Sequence, residues 1–226
     1  MISDRLICIS LSFGLAACAS APRPATSVTL ASGVGVLGSV SAASTKTALA
    51  TMDSAALAFA PADVEFMAGM IPHHAQAVKM AGWAPSHGAR ADLQRLCERI
   101  VVAQKDEIQM MRRWLGERGQ DVPDSLAMRH VMKMGGMVHE MMMPGMLTDA
   151  EMAALEQARG AAFDRLLLVG MIRHHRGAIS MVDELFRHGN AGHDETVFRF
   201  ANDVISDQSA EIQKMLVMLE TVPQLH

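Results

Sequence analysis

The sequence predicts an all-α protein, a four-helix bundle built from two related helical hairpins. Three observations carry that expectation. The motif Met70-Ile71-Pro72-His73-His74-Ala75-Gln76-Ala77-Val78-Lys79-Met80 returns as Met171-Ile172-Arg173-His174-His175-Arg176-Gly177-Ala178-Ile179-Ser180-Met181, with six of eleven positions identical. Each copy is followed by a second shared motif, Gln104-Lys105-Asp106-Glu107-Ile108-Gln109-Met110-Met111 and Gln208-Ser209-Ala210-Glu211-Ile212-Gln213-Lys214-Met215. Between these landmarks apolar residues recur at helical spacing, and no segment alternates convincingly as a strand. A duplicated helical hairpin buries both of its apolar faces most simply as a four-helix bundle.

The chain opens with a short apolar run, Leu6 to Ala17, preceded by Arg5 and ending in Leu15-Ala16-Ala17-Cys18, the pattern of a bacterial lipoprotein signal. Such a run is too short to remain as a membrane-spanning helix. The expectation is cleavage of residues 1–17 and acylation of Cys18, which tethers the remainder to a membrane on the periplasmic side of the envelope. Residues 18–60 are rich in Ala, Ser, Thr, Pro and Gly, which suits a flexible tether. Gly33-x-Gly35-x-x-Gly38 formally matches a dinucleotide fingerprint but lacks the flanking strand and helix, so it is set aside.

Residues 61–222 form the expected domain, with repeat one at 62–118, a connector at 128–147 and repeat two at 148–221. The first helix is expected over about 62–82, stopped before Pro85, and the second over about 89–117, with Gly119 just beyond. The third opens at Thr148, where Thr148-x-x-Glu151 reads as a capping box, is interrupted near Gly160, and continues to His188. The fourth runs from about His193 to Leu219 and stops before Pro223. If Gln104 lies level with His74 and Gln208 with His175, the two hairpin turns centre at residue 89 and between Ala191 and Gly192. Both turns contain glycine, Gly88 and Gly192.

Composition excludes several functions. A formal charge of -4, pI near 6.2 and 4% aromatic residues offer nothing to a nucleic acid. With Cys8 in the signal and Cys18 lipidated, Cys97 is the one cysteine of the domain, and its apolar helical setting reads as core. No His has a Glu three residues before it, as di-iron bundles require, and His139-Glu140-x-x-Met143 lacks the second His of a zincin. The expectation is a binding protein and not an enzyme.

What the duplication keeps is a metal-ligand vocabulary. Adjacent residues on a helix diverge by about 100°, so His73 and His74 address different surfaces, as do His174 and His175. Met70 and Met80 flank the first pair, Met171 and Met181 the second. Glu107 and Met111, with Glu211 and Met215, are spaced to reach the same levels, where a carboxylate can bind metal or orient an imidazole. The connector adds an excess of thioethers: between Met128 and Met152 there are nine methionines. Of these Met134, Met137, Met141, Met142 and Met143, with His139, are ligand candidates, because thioethers suit Cu(I) and other soft ions. Each Met read singly is more often a core residue than a ligand.

The motifs Met-Ile-x-His-His-x-x-Ala-x-x-Met and Gln-x-x-Glu-Ile-x-x-Met, the linking Met143-Pro144-Gly145-Met146-Leu147-Thr148, and Phe163-Asp164-x-Leu166 together resemble the DUF305 family. That family includes CopM-type periplasmic copper-binding proteins, and the resemblance extends from about Asp63 to Leu219. It implies a ferritin-like bundle and copper binding in metal tolerance, with ligands at Met70, His73, His74, Met171, His174 and His175. Copper, Cu(I) above Cu(II) or Ag(I), is therefore the expected cargo, sequestered or passed to a copper-handling partner protein. The rival readings are a ferritin-like oxidoreductase and an interaction module whose Met-rich connector docks a partner. Because Arg173 and Arg176 flank the second histidine pair, the first repeat is expected to hold metal more tightly.

Overall fold

The computed structural model describes residues 59–124, 130–134 and 137–223, the side chains of 130–141 excepted. The expected signal, Cys18 and the tether up to residue 58 lie outside the described residues. Five helices follow in order: α1 Pro61–Gly82, α2 Ala91–Glu117, α3 Asp149–Gln157, α4 Gly160–Arg187 and α5 Glu195–Glu220. The fold is all-α in its body, as expected, with α1 packed on α2, α4 on α5, and α1 on α4. No described helix is long and apolar enough to cross a membrane.

The helix ends follow local chemistry. At α3, Thr148 Oγ1 accepts from the Glu151 N–H at 3.3 Å while Glu151 Oε2 accepts from the Thr148 N–H at 2.8 Å, the expected capping box. Ala158 and Arg159 are extended, which splits the expected third helix into α3 and α4. Asp194 caps α5, accepting from Thr196 N–H at 3.0 Å and Val197 N–H at 3.2 Å. The hairpin turns carry Gly88 and Gly192 at φ 69° and 70°, a left-handed geometry that glycine adopts without strain.

Two carboxylates fasten the halves to each other. Asp63 on α1, buried, accepts from the Gly192 N–H in the α4–α5 turn at 2.6 Å. Its counterpart Asp164 on α4 accepts from the Arg90 N–H in the α1–α2 turn at 3.3 Å. Each repeat thus grips the turn of the other.

The connector departs from the sequence reading. Where no strand was expected, His130–Met134 (β1) and Met137–Met141 (β2) form an antiparallel hairpin. The register pairs His130 with Met141, Met132 with His139 and Met134 with Met137. In a strand alternate residues share a face, so the His and Met positions of both arms fall on one face and Val131, Lys133, Val138 and Glu140 on the other.

The apolar interior is divided. One cluster, at the end formed by the C-terminal half of α1, includes Met80, Leu93, Leu96, Leu155, Phe163, Met171 and Met215. The other, at the end formed by the N-terminal half of α1, includes Phe66, Met70, Met111, Trp114, Met181 and Phe200. Each holds three of the six repeat-related methionines, contributed by both repeats. Cys97 lies in the first cluster, and burial pushes its thiol up to about 12, so it is a core residue as expected.

Candidate metal centre

Between the two apolar clusters lies a polar layer. His73, His74, His174 and His175 are all 0% exposed, and Gln104 and Gln208 are buried beside them. The helical divergence of adjacent residues sorts the four rings. His73 and His174 face each other across the α1–α4 contact, ring centroids 3.8 Å apart. His74 and His175 turn instead to α2 and α5, where His74 Nε2 meets Glu107 Oε2 at 2.8 Å and His175 Nε2 meets Glu211 Oε2 at 2.7 Å. The register that placed the second motif beside the first is thereby realised in both halves.

These partners fix the tautomers. A carbonyl oxygen only accepts, so the contact from His73 Nε2 to Pro144 O at 2.9 Å requires the proton on Nε2. A carboxylate likewise draws the Nε2–H of His74 and His175. In all three rings Nδ1 is buried and has no hydrogen-bond partner. His174 makes no well-aligned hydrogen bond at either nitrogen, its backbone interaction being with His73, and the amide oxygens of Gln104 and Gln208 have no partner. An unpartnered buried polar atom costs about 1–3 kcal/mol, so such a concentration within one layer calls for a partner that accepts lone pairs. Protonation does not supply it: burial, and then the adjacent His74, hold His73 down to about 3, whereas a cation accepts such lone pairs. His174 is lowered well below its ordinary value by burial and then by His73. Both rings are neutral at pH 7, the state in which imidazole ligates metal.

Among the described residues no three His, Cys, Asp or Glu side chains converge to form a metal site by themselves. Donors of another class are needed to complete one, and thioethers are at hand. Met70, Met111 and Met181 lie in the cluster on one side of the layer, and Met80, Met171 and Met215 in the cluster on the other. In the structure all six pack as core. Met143 is half-buried, its methyl close against Gly69, and Met142 is 49% exposed. Met134, Met137, His139 and Met141 belong to the hairpin, where only the backbone is described.

The layer is closed on the α1–α4 side by a strap, Met143 to Leu147, whose importance the sequence reading missed. Gln76 fastens it, its amide donating to Leu147 O at 2.9 Å and accepting from Leu147 N–H at 2.7 Å. The repeat-related position is Gly177, where an added Cβ would stand 1.9 Å from Pro144 O. A glycine on one side and an amide on the other let the strap cross the bundle and present Pro144 O to His73. The replacement of Gln76 by Gly177, two residues after the matching histidine pair, was the available signal. For Asp63 and Asp164 it was their separation, which equals that of His73 and His174.

The arginines beside the second pair do not press on it. Arg173 is exposed and binds Glu151 at 2.7 Å through both terminal nitrogens, and that contact holds the Glu151 carboxyl down to about 2. Arg176 is also exposed. Of the two charges behind the expected weaker second half, that of Arg173 is thus paired away from the histidines.

A family model described as a domain of unknown function, DUF305, matches residues 63–219. The chain belongs to the DUF305 family. Among solved structures, a DUF305 protein from Streptomyces coelicolor, assigned as secreted, is 27% identical, with a TM-score of 0.58 over 73% of this chain and 98% of its own. A DUF305 fragment from Deinococcus radiodurans is 27% identical, with a TM-score of 0.59 over 72% and 97%. CopM in its Cu(I)-bound form is 27% identical, with a TM-score of 0.54 over 70% and 95%, and CopM is also known in Cu(II)-bound and Ag-bound forms. No curated protein matches the chain.

Proposed function

We propose that this DUF305 protein binds copper in the cell envelope, taking Cu(I) in preference to Cu(II) or Ag(I), and sequesters it or hands it to a copper-handling partner protein. One observation carries the reading: three buried imidazoles hold their Nε2 protons against oxygen acceptors and leave Nδ1 unpartnered. A ligating histidine characteristically spends its second nitrogen on a carboxylate or backbone carbonyl, as His73, His74 and His175 do here. The site is apolar above and below, and a monovalent cation loses less hydration on entering it than a divalent one. Thioethers in both flanking clusters favour the same soft ion. The binding of Cu(I), Cu(II) and Ag by the structural neighbour CopM supports the assignment.

The role is binding rather than catalysis. Sequence chemistry supports this, since no His carries the Glu-x-x-His spacing of di-iron oxidoreductases. The envelope location rests on Leu15 to Cys18, and a Cys18→Ala variant that stayed in the membrane fraction through a high-salt wash would overturn the anchor.

Competition titration against a Cu(I) chelator and a Zn(II) chelator tests the function. The expected outcome is stoichiometric Cu(I) retention that is lost when His73 and His174 are both replaced by Leu. Zinc retained as tightly as Cu(I) by the unaltered chain would sink the proposal.

A further inference from the structure

The histidine layer is closed by the strap on the α1–α4 side, and on the opposite side two clefts, of 430 and 150 Å³, approach it between α2 and α5. Glu107 lines both. Glu107 and Glu211 are 23% and 18% exposed while each holds a fully buried imidazole, so these carboxylates touch the interior and the cleft at once. Asp106, Asp203 and Asp207 stand around them. The opposing cations are Arg99 and Lys214 at the smaller cleft and Arg199, which is paired with Glu195, at the larger. The balance is negative, and the Asp207 carboxyl registers it: burial first, then Asp203, Glu107 and Glu211, hold it above its ordinary value.

Acidic lining alone does not make a cation site. The second observation is on the floor of the smaller cleft, which Gln104 and Gln208 line. They are 3% and 4% exposed, and the amide oxygen of each has no hydrogen-bond partner. Buried oxygen acceptors lacking a donor, beneath a ring of carboxylates and beside two carboxylate-held imidazoles, have the chemistry that a passing cation satisfies.

Building on the copper-binding reading, we propose that the α2–α5 cleft is the port through which a metal cation enters the histidine layer. Asp203 and Asp207 draw the ion in. The oxygens of Glu107, Glu211, Gln104 and Gln208 then pass it to the imidazoles. Oxygen ligands hold a soft ion weakly, which suits a waypoint rather than a resting place.

Stopped-flow mixing of the full chain with silver nitrate, followed by ultraviolet absorption, tests the port. The relevant phase is the one that His174→Leu abolishes. The variant Asp203→Asn with Asp207→Asn, at exposed positions, should slow that phase by about tenfold at low salt and flatten its dependence on ionic strength, with the final silver stoichiometry unchanged. Charge removal beside the strap, Glu65→Gln with Glu184→Gln, should leave the rate as it was. An unchanged rate in the Asp203 and Asp207 variant, or slowing only in the Glu65 and Glu184 variant, would overturn the port while leaving metal binding intact. Absence of any His174-dependent uptake in the unaltered chain would remove the metal-binding reading itself, and the port with it.

Discussion

His174 lies 0% exposed with no well-aligned hydrogen bond at either ring nitrogen, and its ring sits 3.8 Å from His73. Folding without metal therefore demands that both rings stay neutral, and this gives a signed pH dependence. The folded pKa of His73 is about 3 against an ordinary 6.5, so between those values the unfolded chain binds the extra proton. Stability of the metal-free protein then rises with pH across that window and is lost as pH falls through it. From pH 6.5 to 5 the loss from His73 alone is about 2 kcal/mol, and His174 adds to it in the same direction. Urea denaturation of the metal-free chain at the two pH values should show this loss. His73→Leu with His174→Leu should show a flatter dependence, and an equal slope would mean that other groups carry it. At this scale the sequence was informative about direction, because adjacent helical residues must diverge and Glu107 and Glu211 follow from hairpin register. It was silent about Pro144, because a backbone carbonyl leaves no residue-type signature.

Among elements, the strap and the hairpin test different halves of the design. Gly177→Ala places a methyl group 1.9 Å from Pro144 O, between backbone segments that have no flexible end to move aside. The strap must lift or α4 must shift, and thermal denaturation should show a loss of about 1–3 kcal/mol. Gly82→Ala, with nothing within 4 Å of the new methyl, should be neutral or stabilising, which separates crowding from the general effect of alanine. The helices were legible because a 3.6-residue period runs through segments of 22 residues or more in α1, α2, α4 and α5. The hairpin was hidden because each arm has only five residues, and Gly135-Gly136 shifts the His and Met positions from even to odd numbers. If its shared face binds soft metal, replacing Met132, Met134, Met137 and Met141 by Leu lowers the Cu(I) stoichiometry of the full chain and leaves its helical circular dichroism unchanged. Unaltered stoichiometry would assign those thioethers to packing or partner contact.

Across the whole molecule, the duplication builds one histidine layer shared by both repeats. Every polar contact of the layer has a counterpart in the other repeat: His74 with Glu107 and His175 with Glu211, Gln104 and Gln208, and Asp63 and Asp164 each gripping the other repeat's turn. The exception is the strap, which breaks the symmetry through Gln76 and Gly177 and brings the Pro144 carbonyl to His73 alone of the two central rings. The sequence suggested unequal halves because charge beside a metal ligand is read along the chain, yet helical geometry sends Arg173 outward to Glu151 on α3. With Arg173 paired to Glu151 and the two central rings in contact, the proposed site draws on both histidine pairs. Replacing His73 and His74 together by Leu should lower Cu(I) affinity to the same extent, within about tenfold or 1.4 kcal/mol, as replacing His174 and His175. Chelator competition on both variants, with helical content checked by circular dichroism, decides it. A loss confined to the first pair would restore two separate sites and place the resting metal on α1.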